Sequence, residues 1–413
     1  GDEKGIQQFM TGPYNLGGGR YGPFPMLAIP EFGRTGDISK VPANYWVQTP
    51  RQAYDDVVSS IGGDVSMTEA LRAAYMSGHI TLGKLSILAG LRFEETRNEG
   101  TSFTTAVDST GSFVATASVT ENVARAMRRF RSGESTTKGQ HRGVFPGLHF
   151  VYEPMGGLLF RASYNNSISR PPLANLLSRV TINEIGTITR GNPNLKPYRS
   201  NNFEASVEKY FEPIGMVGVG VFLKEISDYF RTFETAVPTG DDNGFNGQYA
   251  GYTLNQVQNA GDARIRGFEF SYQQQYSFLP GVLKGLGSYA NFTYQQTQGT
   301  YGGTTFQRRL AGFAPRSVNA GISYVQYGLQ ARLLFNWRDG YYRGGSGASA
   351  TYSDPRRMYD LKLQYSIRPS YDVFLDVGNI FDEANTTIVV EGERKYFRQN
   401  QGVSFSAGIK ARF

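Results

Sequence analysis

Read backward from its last residue, the chain alternates. Phe413, Ala411, Ile409, Ala407, Phe405 and Val403 are apolar, and Arg412, Lys410, Gly408, Ser406, Ser404 and Gly402 lie between them. A period of two with this contrast marks a strand with one greasy and one wet face, because successive side chains leave a strand on opposite sides. Leu85, Ile87, Ala89, Leu91 and Phe93 repeat it, with Leu88 as an exception on the polar side. Residues 158–164, 203–211, 329–337 and 361–367 follow suit. Many of these strands run roughly 10–16 residues, beyond the usual strand of a soluble sandwich and enough to cross a membrane when tilted. Arg332, Lys362 and Lys410 stand mid-strand on the polar side, where an aqueous lumen accepts them.

Composition agrees with many strands and turns. Fifty glycines and an aromatic fraction of 14% accompany a hydrophobic fraction of only 39%. No apolar run approaches the ~20 residues of a membrane helix; a barrel strand shows lipid only alternate residues, so its hydropathy averages out. Without cysteine there is neither a disulfide framework nor a thiolate metal site. The formal charge of +7 suits nucleic acid in some folds. On a barrel it suits a surface facing anionic lipopolysaccharide or an anion-collecting lumen, and no nucleic-acid partner is expected.

Connections alternate as well. Short turns fall near residues 83–84, 153–157, 212–214, 326–328 and 368–370, and 278–285 is a longer one holding Pro280-Gly281. Long Gly/Ser/Asp-rich connections fall near residues 98–138, 171–196, 238–251, 300–309 and 342–354. Short periplasmic turns and long extracellular loops are the outer-membrane pattern. The fold class predicted is all-β, an antiparallel transmembrane β-barrel with about 13 strands between Thr68 and Phe413. An odd count leaves two edges that cannot close on each other, so further strands are expected from a longer chain or a partner. Residues 1–66 are read as an extracellular loop region, with a short helix at Arg51–Ser60 behind Thr49-Pro50, and residues 67–413 as the C-terminal part of the barrel.

Several segments, in order, resemble the C-terminal half of TonB-dependent outer-membrane receptors. Ser163-Tyr164-Asn165-Asn166-Ser167-Ile168-Ser169-Arg170-Pro171 is similar to a strand ending S-x-S-I-S-R-P. Gly191-Asn192-Pro193-Asn194-Leu195-Lys196-Pro197 followed by Ser200-Asn201-Asn202-Phe203-Glu204 resembles G-N-P-x-L-K-P…S-x-N-x-E. Lys224–Tyr229, Asn259-Ala260-Gly261 with Gly267-Phe268-Glu269, and Val377-Gly378-Asn379-Ile380-Phe381-Asp382 match later strands. The resemblance implies a 22-stranded barrel with a plugged lumen, the plug domain not being present in this chain. It implies uptake of a large or scarce nutrient (a siderophore, a cobalamin-like chelate or a glycan). The implied partners are the small-molecule or glycan ligand, TonB through a plug outside this chain, the barrel assembly machinery, and membrane lipid with lipopolysaccharide. The alternative is a β-barrel subunit or anchor of an outer-membrane assembly.

Candidate ligand contacts are loop-proximal cations and aromatics, Arg170, Arg338, Tyr341, Tyr342 and Arg343, because aromatic faces stack on chelates or sugars and guanidinium pairs carboxylates. Girdle and lumen roles serve the same residues equally well. Phe413 is read as the terminal assembly signal. No catalytic constellation, cofactor or metal site is predicted, and the chain is not read as an enzyme. Gly17-Gly18-Gly19-Arg20-Tyr21-Gly22 fits G-x-G-x-x-G, yet Pro23 and Pro25 follow where a helix is required. His141 and His149 share parity and are read as lining residues. Arg125, Arg128, Arg129 and Arg131 form the sharpest basic cluster, either a phosphate grip or a solvated helix face.

Overall fold

The structure, a computed structural model, describes residues 10–14, 24–27, 49–105, 109–183, 186–301, 304–308, 310–345, 350–389 and 394–411. The Gly17–Gly22 segment and Phe413 lie outside these.

The long antiparallel strands are β3 (Val65–Leu82), β4 (Leu85–Phe103), β5 (Glu134–Met155), β6 (Leu158–Ser169), β9 (Tyr198–Phe211), β10 (Gly215–Ala236), β11 (Thr253–Gln275) and β12 (Leu286–Tyr301). They continue as β14 (Arg316–Gln326), β15 (Leu329–Arg338), β18 (Arg356–Arg368), β19 (Tyr371–Gly378) and β22 (Ser404–Ala411). Each hydrogen-bonds to the next in an unbroken thirteen-strand path whose outer members are β3 and β22. Among the described residues those two do not pair with each other, as the odd count predicts. Turns at one end are short, with two residues between β3 and β4 and again between β14 and β15.

Register decides what each face meets. Phe93 lies opposite Val144, Tyr164 opposite Phe203, Val221 opposite Phe268, Leu333 opposite Leu361, and Val377 opposite Phe405. All belong to one face, and Phe93, Val144, Phe203, Val221, Phe268, Leu333 and Phe405 are exposed; Phe405 and Ile409 reach 72% and 73%. Leaving such side chains in water would forfeit roughly 1.5–3 kcal/mol each, and a soluble protein does not tolerate an apolar patch of this extent. This face meets lipid. Rings pair along its rim, Tyr164 with Phe203 at 5.0 Å and Phe335 with Tyr359 at 4.9 Å, as an interfacial girdle does. Just beyond Phe93 the same face turns polar. Glu95 accepts from Arg97 at 3.1 Å and forms an ion pair with Arg142 at 2.7 Å; farther round, Arg264 pairs with Glu225 at 2.7 Å.

On the opposite face Ser404, Ser406 and Lys410 line up with Gly378, Asp376 and Asp372. We predict that cysteines placed at Phe405 or Ala407 react with lipid-soluble maleimides, and those at Ser406 or Lys410 with water-soluble ones. A reversed pattern would sink the barrel assignment, since a one-residue slip flips every side chain.

Several strands outrun the bilayer. β10 has 22 residues and β11 has 23, against the roughly 9–11 a crossing needs. The surplus builds the extracellular loops. A helix, α1 (Pro50–Gly63), begins where Thr49 caps it: the Thr49 hydroxyl accepts from Gln52 N, the Gln52 side chain returns to Thr49 N, and Pro50 fills the first turn. It packs on α2 (Val119–Arg128) in the β4–β5 loop. The β6–β9 loop holds a short helix at Leu173–Leu176 and a small hairpin, β7 (Val180–Ile182) with β8 (Thr187–Arg190); β8 also joins β11 in parallel.

Two features escaped the sequence reading. A hairpin of β1 (Met10–Tyr14) and β2 (Phe24–Leu27) forms where no alternation was seen. The connection read near residues 342–354, together with residues 385–399, for which no strand was predicted, forms a four-stranded extracellular sheet in the order β16 (Tyr341–Gly344), β17 (Thr351–Ser353), β20 (Asn385–Val389) and β21 (Arg394–Gln399); β13 (Thr304–Arg308), in the connection read near 300–309, extends β12. These strands have three to six residues, too few for a period of two to register.

Candidate functional site at the extracellular mouth

The motifs around Asn165–Ser167, Gly191–Asn202 and Asn259 lock loops to strands. Asn202, 8% exposed, donates to Asn165 Oδ1 at 2.8 Å and Ser167 Oγ at 3.1 Å, and accepts from Ser200 Oγ at 2.8 Å. Asn192 donates to the Val257 carbonyl at 3.0 Å. Asn259 donates to the Asp228 and Lys196 carbonyls at 2.7 and 2.9 Å. Gly191 admits no side chain, since a Cβ there would lie 1.8 Å from the Leu177 carbonyl oxygen.

The inner wall below the mouth is polar and cupped. A cavity of about 590 Å³ lies along β5, β6, β9, β10, β11 and β12, with His149, Arg161, Glu204, Glu208, Lys224 and Glu269 among its walls. Arg161 pairs with Glu208 at 3.2 Å. Phe222 crosses β11 at Gly267, where a Cβ would come within 2.7 Å of its ring. Residues 310–315 fold down onto this wall. Leu310, 2% exposed, packs with Ala263, Ile265, Phe222, Ile226 and Phe313. Its N–H donates to Thr297 Oγ1 at 2.9 Å, and the Gln295 side chain donates to the Ala314 carbonyl at 2.9 Å.

Four of the five sequence-predicted contacts gather at the base of the extracellular sheet. Arg338, the last residue of β15, donates twice to Ser353 Oγ, at 3.1 Å each, and its guanidinium lies 4.9 Å from the Tyr341 ring centroid. Arg343 donates to Thr387 Oγ1 at 2.5 Å. The Tyr342 ring meets Tyr352 at 5.5 Å, and its hydroxyl donates to the Gly345 carbonyl. Arg170 stands apart, immediately after the end of β6, with five strands of the path between β6 and β15. There it donates to Thr96 Oγ1 at 3.0 Å and pairs with the Glu94 carboxylate, which Arg92 also holds at 2.6 Å.

One cation of the mouth was missed. Arg356 sits directly opposite Arg338 in the β15–β18 register, donates to Gln401 Oε1 at 2.8 Å, and leaves its buried Nε without a partner. Arg356 and Arg343 both lie near enough to Arg338 for their charges to act against its own, and no acid pairs with the three among the described residues. Counting two residues beyond Asp354 from the predicted turn would have exposed Arg356.

The other sequence candidates have structural occupations. Arg125 and Arg128 pair with Glu121 at 3.2 and 2.7 Å, and Arg129 donates to the Tyr54 hydroxyl at 3.0 Å. His141 and His149 are eight residues apart on one strand, roughly 26 Å at ~3.3 Å per residue, too far to share an ion.

A sheet apolar outside and polar inside, with short turns at one end and a loop-built mouth at the other, is the wall of an outer-membrane β-barrel. The family model described as TonB dependent receptor-like, beta-barrel matches residues 4–380. The chain belongs to that family, whose members are receptors and transporters of the bacterial outer membrane. The chain is similar to the vitamin B12 transporter BtuB of Vibrio vulnificus (strain YJ016), 22% identical over 373 residues, covering 89% of this chain and 54% of that protein. In fold it resembles the unliganded ferric citrate transporter FecA (TM-score 0.58, 13% identity, 84% of this chain and 45% of that one). It also resembles the FrpB iron transporter from Neisseria meningitidis (TM-score 0.55, 14% identity, 89% and 49%). The chain thus spans about half the length of these relatives.

Proposed function

We propose that this chain forms the ligand-facing wall of a receptor that binds a large or scarce nutrient at the outer surface and passes it inward. The observation that carries the reading is the family match over residues 4–380 together with a mouth that presents three unneutralised arginines beside tyrosine rings. Siderophore, cobalamin-like chelate and glycan are all cargoes of suitable size. The arginine cluster favours an anionic chelate, since guanidinium pairs carboxylates or phenolates while tyrosine faces stack on flat chelate rings. The relatives are named as transporters, which supports uptake over the role of an assembly subunit.

Arg338, Arg343 and Tyr341 receive the ligand, with Tyr342 behind them, and Arg170 waits across the lumen, held by Glu94 and Thr96. Transport past residues 310–315 draws on TonB, acting through a plug outside this chain. Lipopolysaccharide surrounds the outer face, and Phe413 marks the strand for the assembly machinery. Cells bearing the protein should accumulate a radio-iron chelate against its gradient. Collapsing the proton gradient should abolish accumulation and spare surface binding. Equal accumulation in cells lacking the protein would refute uptake.

A further inference from the structure

Two of the long strands separate toward the extracellular side. β5 and β6 pair from Met155 with Leu158 up to Gly147 with Asn165, and no further pair follows among the described residues. Their other neighbours stay in place. β4 keeps pairing with β5 as far as Phe103 with Glu134, and β9 with β6 as far as Tyr198 with Ser169. The wall therefore carries a seam, bordered by β5 residues 134–146 on one side and β6 residues 166–169 on the other. Backbone groups along an unpaired edge are not left against hydrocarbon, so the seam stands at the height of the lipid headgroups, where polar partners are at hand.

Arginines bridge the seam on both faces. On the inner face Arg170 reaches past β5 to Thr96 and Glu94 of β4, so its charge is matched. On the outer face Arg199, opposite Ile168 in register, sends Nη2 across to the Arg142 carbonyl at 3.3 Å. Among the described residues no acid pairs with Arg199. Arg142 and Arg97, both more than half exposed, share the single carboxylate of Glu95, which also accepts from Gln140. Arg72 lies opposite Glu95 on β3, exposed and with no acid partner among the described residues. Four guanidiniums thus meet one carboxylate. Immediately below them Phe93, Val144 and Phe203 are exposed toward lipid. Between the two zones the Tyr164 hydroxyl and the Asn166 side chain both donate to Asn201 Oδ1, at 3.1 and 2.8 Å. A cationic surplus directly over an apolar face matches a lipid with a phosphate headgroup, because guanidinium presents paired N–H donors to phosphate while acyl chains cover the rings beneath.

We propose that the outer side of this seam is a discrete binding site for one phosphorylated glycolipid of the outer leaflet, with Arg142 and Arg199 on its phosphate, Arg72 and Arg97 beside them, and its acyl chains against Phe93 and Val144. The site narrows the general contact with lipopolysaccharide to one place on the wall. It rests on the membrane-spanning fold and is independent of the cargo and of the arginine cluster at the mouth.

Native mass spectrometry of the full-length protein, folded in a non-ionic detergent and titrated with diphosphoryl lipid A, tests it. One lipid should be retained saturably, and removing both phosphates from the lipid should abolish retention at the same concentration. R142Q combined with R199Q should weaken retention about 25-fold, at roughly fivefold for each charge near a lipid surface. R142K combined with R199K should restore most of it. R264Q combined with R266Q, farther round the same face, should leave retention unchanged. Equal retention of the dephosphorylated lipid overturns the site and leaves acyl contact alone. Equal loss in the two glutamine pairs overturns it in favour of a diffuse basic face. Displacement by equimolar inorganic phosphate assigns the arginines to the free ion and overturns the lipid. Loss that the lysine pair does not recover overturns charge recognition, leaving arginines that only hold the strands.

Discussion

Replacing Arg338, Arg343 and Arg356 together by alanine should weaken capture of an anionic chelate by roughly 10²–10³-fold. Hydrogen bonds to charged groups are worth about 1.5–3 kcal/mol when the partner is desolvated, and each 1.4 kcal/mol is about tenfold. Three such contacts would give more, but Arg343 is exposed and solvent screens its share. Single substitutions should therefore rank with Arg338 and Arg356 above Arg343. Arg338 also anchors Ser353, so R338Q serves as the control, because its amide can still donate to Ser353 Oγ without the charge. Titration calorimetry with a carboxylate chelate and a neutral glycan of similar size separates charge recognition from collapse of the mouth. Equal loss for both ligands would mean that the arginines hold the extracellular sheet rather than the cargo.

The second large effect concerns the segment over the inner wall. Leu310→Ala should destabilise its docked state by about 2–5 kcal/mol, the usual range for emptying a buried leucine site. That corresponds to an opening roughly 30-fold to several-thousand-fold more populated. Hydrogen exchange should show the change at Leu310 N–H, now held by Thr297, and at Gln295, whose N–H donates to the Pro315 carbonyl at 2.8 Å. Exchange in β14 and β15 should stay as it was, since their ladder is independent of Leu310. Uniform acceleration throughout the sheet would show that the segment supports the barrel instead of merely covering it.

The long strands were legible because lipid and water impose opposite demands on neighbouring residues. Phe405 and Ser406 cannot exchange places, so the order of residues records the faces directly. The helix at Pro50–Gly63 was legible for a different reason: Thr49, Pro50 and Gln52 satisfy its first turn locally. The extracellular sheet was not legible. Thr351–Ser353 contributes three residues and is a strand because it lies between Tyr341–Gly344 and Asn385–Val389, the second pairing made across more than thirty residues of chain. The mouth was half legible. Tyr341, Tyr342, Arg338 and Arg343 are neighbours in sequence, while Arg356 reaches them through register. Arg170 resembles them in type and position at a strand end, yet occupies another part of the wall. The basic run at Arg125–Arg131 shows the converse, a conspicuous local cluster whose members mostly serve their own loop.

The abrupt change on the outer face, from Phe93 to the Glu95–Arg97–Arg142 group, has a mechanical consequence. Pushing the wall inward would carry paired ions toward hydrocarbon, where an arginine at mid-depth costs about 2–4 kcal/mol and one at the boundary about 0–1. Lifting it would strip Phe93, Phe203 and Phe268 of lipid at roughly 1.5–3 kcal/mol for each ring fully wetted. The two penalties rise in opposite directions from the same level. The wall therefore has a waterline, and a force applied to cargo inside it is spent on the cargo while the wall holds its depth.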